Sequence, residues 1–238
     1  MKKLLFIFSL LHTALFATGC VDEIVIASTQ DSAVQLDGRA SETAWESAVS
    51  YPLRLLPQPN QERGIAFQEG SVRFLCGSQF LYVYAELTDD DIVQYGSETE
   101  DLCKRGDVLE LFIRDRKKGC YWELHLSPAG KSSVLFYPNA GRRLFPEAFQ
   151  RENPIRMAVR LDGTLNHYQD QDHGYYIEAK IPLSLFGKDF GKNNEWTLLS
   201  TRYNYSKSFK VSQLSTSAYL PMADFHLVDY HTPIRNRK

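Results

Sequence analysis

A chain of 238 residues with 43% hydrophobic and 24% charged side chains can build one large β domain or two small ones, and this composition excludes a disordered protein. Its 27 basic residues nearly balance 29 acidic ones, so no overall field draws it toward nucleic acid. The 13 Tyr and 14 Phe favour strands over helices.

Lys2 and Lys3 precede an apolar run from Leu4 to Phe16, too short to cross a bilayer and suited to a secretory signal over residues 1–19. The run ends in Ala17-Thr18-Gly19-Cys20, which resembles a bacterial lipobox with Ala17 where Leu is usual. Cys20 is then the lipidated first residue of an exported protein, and cleavage after Gly19 without lipid is the alternative. Val21 rather than Asp after the cysteine points to the outer membrane. On this reading residues 20–33 are a tether, residues 34–238 are one module, and the membrane is met only through the lipid.

Strands are predicted at 72–76, 80–87, 107–114, 121–127, 132–137, 155–161, 174–181 and 196–205, separated by turn clusters such as Lys117-Lys118-Gly119 and Pro128-Ala129-Gly130. Helical pattern is confined to Glu42–Ala48 and 182–186. Many short strands with one or two short helices and no repeat give an all-β, antiparallel β-sandwich.

Alternation assigns faces. If 107–114 and 121–127 pair as a hairpin, Leu109, Leu111, Ile113, Trp122, Leu124 and Leu126 share the core face. Glu110, Phe112, Tyr121, Glu123 and His125 share the other, where hydrogen-bonding groups alternate with rings. In 80–87 the non-core face holds Tyr82, Tyr84 and Glu86, whereas 196–205 is apolar on both faces, so Arg202 can point either way. Glu110 reads equally as a ligand for hydroxyls or as half of an ion pair. The basic run Arg235 to Lys238 reads as a solvated tail.

Three cysteines remain beyond Cys20: Cys76, Cys103 and Cys120, an odd number whose spacings match no zinc or redox motif. They are expected to be buried or half-buried thiols. The turn Thr88-Asp89-Asp90-Asp91 is either a solvated acidic turn or part of a structural calcium site. No Gly-x-Ser-x-Gly, His-Glu-x-x-His or phosphate-binding loop is present.

Five segments in order resemble carbohydrate-binding module family 9: Leu36 to Ala48 with its Asp37-Gly38 and Trp45, Val72 to Asp89, Gly106 to Ile113, Gly174 to Pro182, and Asp224 to Ile234. The resemblance implies the family's sandwich and a non-catalytic module that grips a glycan in support of polysaccharide-degrading enzymes. It also implies that two Trp hold the sugar. Here Lys104 stands at the first of those positions, and the second falls at or near Phe225. Family contact positions on the strands correspond to Glu110, Glu123, His125 and Arg202, with Tyr84 on the same surface and the loop from Tyr219 to Phe225 at the rim. Two other readings compete. Glu110 and Glu123 on one face suit a glycoside hydrolase. Related sandwiches hold haem, for which Met157, Met222, His125 and His226 are available.

Overall fold

The computed structural model describes residues 22–61, 64–97, 99–139, 149–150, 152–191 and 195–237. Residues 1–19, expected to be a signal, and Cys20 lie outside them. Thirteen strands follow in chain order: β1 (Ile24–Ser28), β2 (Ser50–Leu55), β3 (Gly70–Cys76), β4 (Phe80–Thr88), β5 (Val108–Asp115), β6 (Cys120–Leu126), β7 (Ser132–Tyr137), β8 (Phe149–Gln150), β9 (Arg156–Asp162), β10 (Gly174–Pro182), β11 (Trp196–Asn204), β12 (Gln213–Thr216) and β13 (Thr232–Arg237). The two segments with helical pattern are short 3-10 turns, Thr43–Ser47 and Leu183–Leu185.

A front sheet runs β8-β7-β6-β5-β11-β12 and a back sheet runs β3-β4-β10-β9. They are joined through β2, which pairs with β3 over Ser50 to Leu53 and then with β12 through Arg54 and Leu55. Between the sheets lies the main core. The front sheet supplies Leu109, Leu111, Ile113, Trp122, Leu124, Leu126 and Leu198, and the back sheet Val72, Phe74, Leu81, Val83, Ala85, Ile177 and Ala179. Each buried Leu, Ile, Val or Phe among them contributes about 1.5–3 kcal/mol. The alternation that predicted the core face of the β5–β6 hairpin therefore holds along its whole length. Gly174 starts β10 at φ 146°, and a Cβ there would overlap the carbonyl oxygen of Leu87 on the adjoining strand.

Two sequence expectations are corrected. Residues 24–28, assigned to a tether, form β1, which lies parallel between β13 and β3 and buries Ile24 and Ile26 in the core. The folded unit therefore begins before Val34. The supposed basic tail is mostly β13, paired with β1 from Ile234↔Ile24 to Arg237↔Ala27. β13 also pairs with β11 at Thr232 and Pro233, and Arg235 donates from Nε to Glu23 Oε2 at 2.6 Å.

Both outer faces are partly covered. Behind the back sheet, Trp45 packs with Tyr82, Tyr84, Val34 and Leu75 as a second core. On the front sheet, Phe112, Tyr121, Leu199, Leu214, Ala218, Leu220, Phe225 and Val228 form a third.

Candidate functional site

The outer face of the front sheet carries a buried cluster of titratable groups. Antiparallel pairing sets Glu110 opposite His125 on β6 and opposite Thr201 on β11, with Phe112 opposite Glu123. All of these point away from the main core because the strand period is two. His125 Nε2 lies 2.7 Å from Glu123 Oε1 and 3.3 Å from Glu110 Oε1. Tyr137 donates to the other Glu123 oxygen at 2.8 Å, and Thr201 donates to Glu110 Oε2 at 3.2 Å. The 3-10 turn Thr99–Lys104 brings Cys103 against this group, its carbonyl accepting from the Tyr205 hydroxyl at 2.7 Å.

Burial divides the two acids. It pushes the Glu110 carboxyl up to about 8, against the pull of His125, whose imidazolium would favour the anion. Burial acts the same way on Glu123, but the hydrogen bond and charge of His125, with His226 and Tyr137, outweigh it and hold this carboxyl below its usual range. The Cys103 thiol is pushed up to about 12 by burial and by both carboxylates. The cluster thus favours one ionised acid and one that holds a proton.

Aromatic rings surround it. Tyr121 and Tyr137 stack with centroids 4.4 Å apart, and the Tyr121 hydroxyl hydrogen-bonds with His226 Nδ1 at 2.9 Å. Phe225 is buried against Phe112 at 6.2 Å and Tyr203 at 5.5 Å, and its carbonyl oxygen meets His231 Nε2 at 2.9 Å. Tyr137, Tyr203, Cys103 and His226 remain half-buried, so this is the side from which the cluster can be approached.

Of the eight positions expected to bind sugar, the structure brings together Glu110, Glu123 and His125, with Phe225 beside them on the same face. Tyr84 does not join them. It lies on the outer face of the back sheet, 6% exposed, with its ring 5.6 Å from that of Trp45. Arg202 is also misplaced, because β11 turns Thr201 rather than Arg202 toward Glu110. The Arg202 guanidinium points between the sheets, donating to Asp89 Oδ2 at 2.7 Å and to the Thr88 carbonyl at 2.8 Å. Lys104 is exposed at the end of its turn, and its neighbour Cys103 is the residue that reaches the cluster. Tyr219 is 64% exposed. Cys103, Tyr137 and Thr201 were missed. The register of β11 against β5 would have found Thr201, and the odd cysteine was the signal for Cys103.

The acidic turn has protein partners for all three carboxylates. Besides the Asp89 pair with Arg202, Asp90 accepts from the Ser206 hydroxyl at 2.8 Å and Asp91 from the Lys207 amide at 2.6 Å. Cys76, Cys103 and Cys120 are free thiols, half-buried or buried as expected. The four haem-ligand candidates do not gather. Met157 packs against the main core from β9, Met222 is 57% exposed, His125 is held between carboxylates, and His226 bonds with Tyr121.

No protein-family model matches the chain, and no curated protein does. Solved structures do. The chain is similar to a carbohydrate binding module family 9 from Caldicellulosiruptor kristjanssonii in complex with cellotriose, at 14% identity and TM-score 0.57, over 91% of this chain and 95% of that one. The same module in complex with glucose gives 13% identity and TM-score 0.53, over 90% and 95%. A candidate carbohydrate-binding protein from Bacteroides uniformis gives 11% identity and TM-score 0.66, over 91% and 99%. At these identities the likeness establishes the fold, which is the β-sandwich of that family.

Proposed function

We propose that the protein is a non-catalytic carbohydrate-binding module, exported and held by a lipid on Cys20 at the bacterial outer membrane, where it retains glycan for polysaccharide-degrading partners. The observation that carries this reading is the likeness, over nine-tenths of the chain, to two sandwich structures solved with cellotriose and with glucose. The outer face of the front sheet supports it. Half-buried Tyr137, Tyr203 and His226 rim the buried carboxylates and imidazole and can meet hydroxyl groups, and exposed Tyr219 offers a ring for the apolar face of a sugar.

The hydrolase reading has less support. Glu110 and Glu123 both converge on His125 Nε2, whereas catalytic acids of a retaining glycosidase flank a gap that the substrate enters.

A glycan array and affinity electrophoresis on the purified protein test the proposal. Retention on at least one polysaccharide is expected, and Tyr219→Ala should weaken it by about 0.5–1.5 kcal/mol with unchanged melting temperature. Folded protein that is retained on no plant, algal or host glycan would refute binding. Incorporation of labelled palmitate that disappears in Cys20→Ala tests the anchor separately.

A further inference from the structure

Soft and hard donors meet at one point on the front sheet. Cys103 Sγ, a Glu110 carboxylate oxygen and a His125 ring nitrogen all lie within 4.8 Å of one another. We propose that these three side chains form a binding site for a divalent transition-metal ion of the zinc class.

The geometry suits such an ion. Zinc bonds of about 2.0–2.3 Å in a tetrahedron place ligand atoms roughly 3.3–3.6 Å apart. Glu110 Oε1 and His125 Nε2 are already 3.3 Å apart. Glu123 Oε1 is hydrogen-bonded to the same nitrogen at 2.7 Å and would have to move apart from it by about 0.6 Å to serve as a fourth ligand. Each ligand comes from a separately anchored element. Glu110 and His125 are fixed by direct cross-strand pairing, and Cys103 by the turn that Tyr205 holds through its hydroxyl. A preformed site of this kind loses little entropy on binding.

Charge gives an independent reason. Glu110 and Glu123 are buried on one face, 2% and 6% exposed, where Thr201, Tyr137 and His125 hydrogen-bond or pair with them and Cys103 adds a bond to Glu110. A dication would offset the negative charge of this buried pair. The sulfur donor also discriminates: thiolate and imidazole select zinc-like ions over calcium and magnesium, which require several oxygens. On binding, the metal replaces the thiol proton of Cys103, any proton on Glu110 and the Nε2 proton that His125 shares with Glu123; the first two go to solvent, and the last goes to solvent or, in the neutral ring, shifts to Nδ1. The ion would take side chains that the glycan reading also uses, but its binding needs no sugar, so the two can fail separately.

The test uses the purified full chain, stripped with chelator and titrated with Co²⁺ and then Zn²⁺. One equivalent of Co²⁺ should give a sulfur-to-metal charge-transfer band together with the strong visible absorption of tetrahedral cobalt, and Zn²⁺ should displace both while excess Ca²⁺ leaves them. Cys103→Ser should abolish the sulfur band and weaken Zn²⁺ binding at least tenfold, whereas Cys120→Ser, in the main core, should change neither. Because Glu110 and His125 are buried and their variants can fail to fold, Cys103→Ser on its half-exposed turn carries the decision, with circular dichroism as the control of folding. Absence of stoichiometric Co²⁺ binding, or a sulfur band that survives Cys103→Ser, would overturn the site.

Discussion

At the scale of single residues, His231 offers the clearest link between burial and pH. Its ring is 4% exposed, and burial drives its pKa down to about 4, with Arg114 and His226 adding to the fall and the Phe225 carbonyl and Asp229 opposing it. The folded protein therefore keeps this histidine neutral while the unfolded chain takes up a proton near the ordinary value of 6.5. Its contribution is fully present above that value, declines as pH falls toward 4, and changes no further below it. The full difference is about 3 kcal/mol. His231→Gln should flatten the stability curve over this window by a comparable amount, measured as the difference between urea melts of the two proteins at each pH. Curves that stay parallel from pH 7 to 4 would show that the ring is charged in the folded state. Arg202 shows why single residues were hard to read. Its strand is apolar on both faces, and only the pairing of Thr201 with Glu110, a contact across 91 positions, settles its direction.

At the scale of elements, alternation was the dependable signal and the chain ends were where it failed. Strands β4, β5, β6 and β10 alternate or run apolar between evident turns, and they lie where the pattern put them. β1 is a short apolar run just behind the segment read as a signal, β13 carries three cationic or amide side chains, β2 has Pro52 at its centre, and β12 has only four residues. Each is stabilised by non-local pairing that no local window reveals. The consequence for the domain boundary can be measured. A chain beginning at Val34 lacks β1, exposing the slot that Ile24 and Ile26 fill, 1% and 0% exposed, at a cost of about 3–6 kcal/mol. Its urea midpoint should fall well below that of a chain beginning at Asp22. Equal midpoints would return β1 to the tether.

At the scale of the whole molecule, the sandwich was legible because five weak segments occur in one order, and order constrains topology more than any single segment does. The candidate site was legible only within one hairpin. Glu110, Glu123 and His125 depend on a two-residue period and one register, whereas Cys103, Tyr137 and Thr201 arrive from a turn and two other strands. The path that joins the sheets has a mechanical consequence. β1 runs parallel to β13 through the pairings from Ile24↔Ile234 to Ala27↔Arg237, and β13 is stitched to β11 at Pro233↔Thr197 and Thr232↔Leu198. On the proposed function, tension between the anchor and a glycan held on the front sheet would pass through these pairings. Because β1 and β13 point the same way and β13 is held to β11 just ahead of Ile234, both strands are loaded at the same end, and their pairings give way in sequence from Ile24 onward. Failure under such a load is governed by the rate of crossing the unfolding barrier, so the strand taken for a leash would be the first part of the sandwich to open.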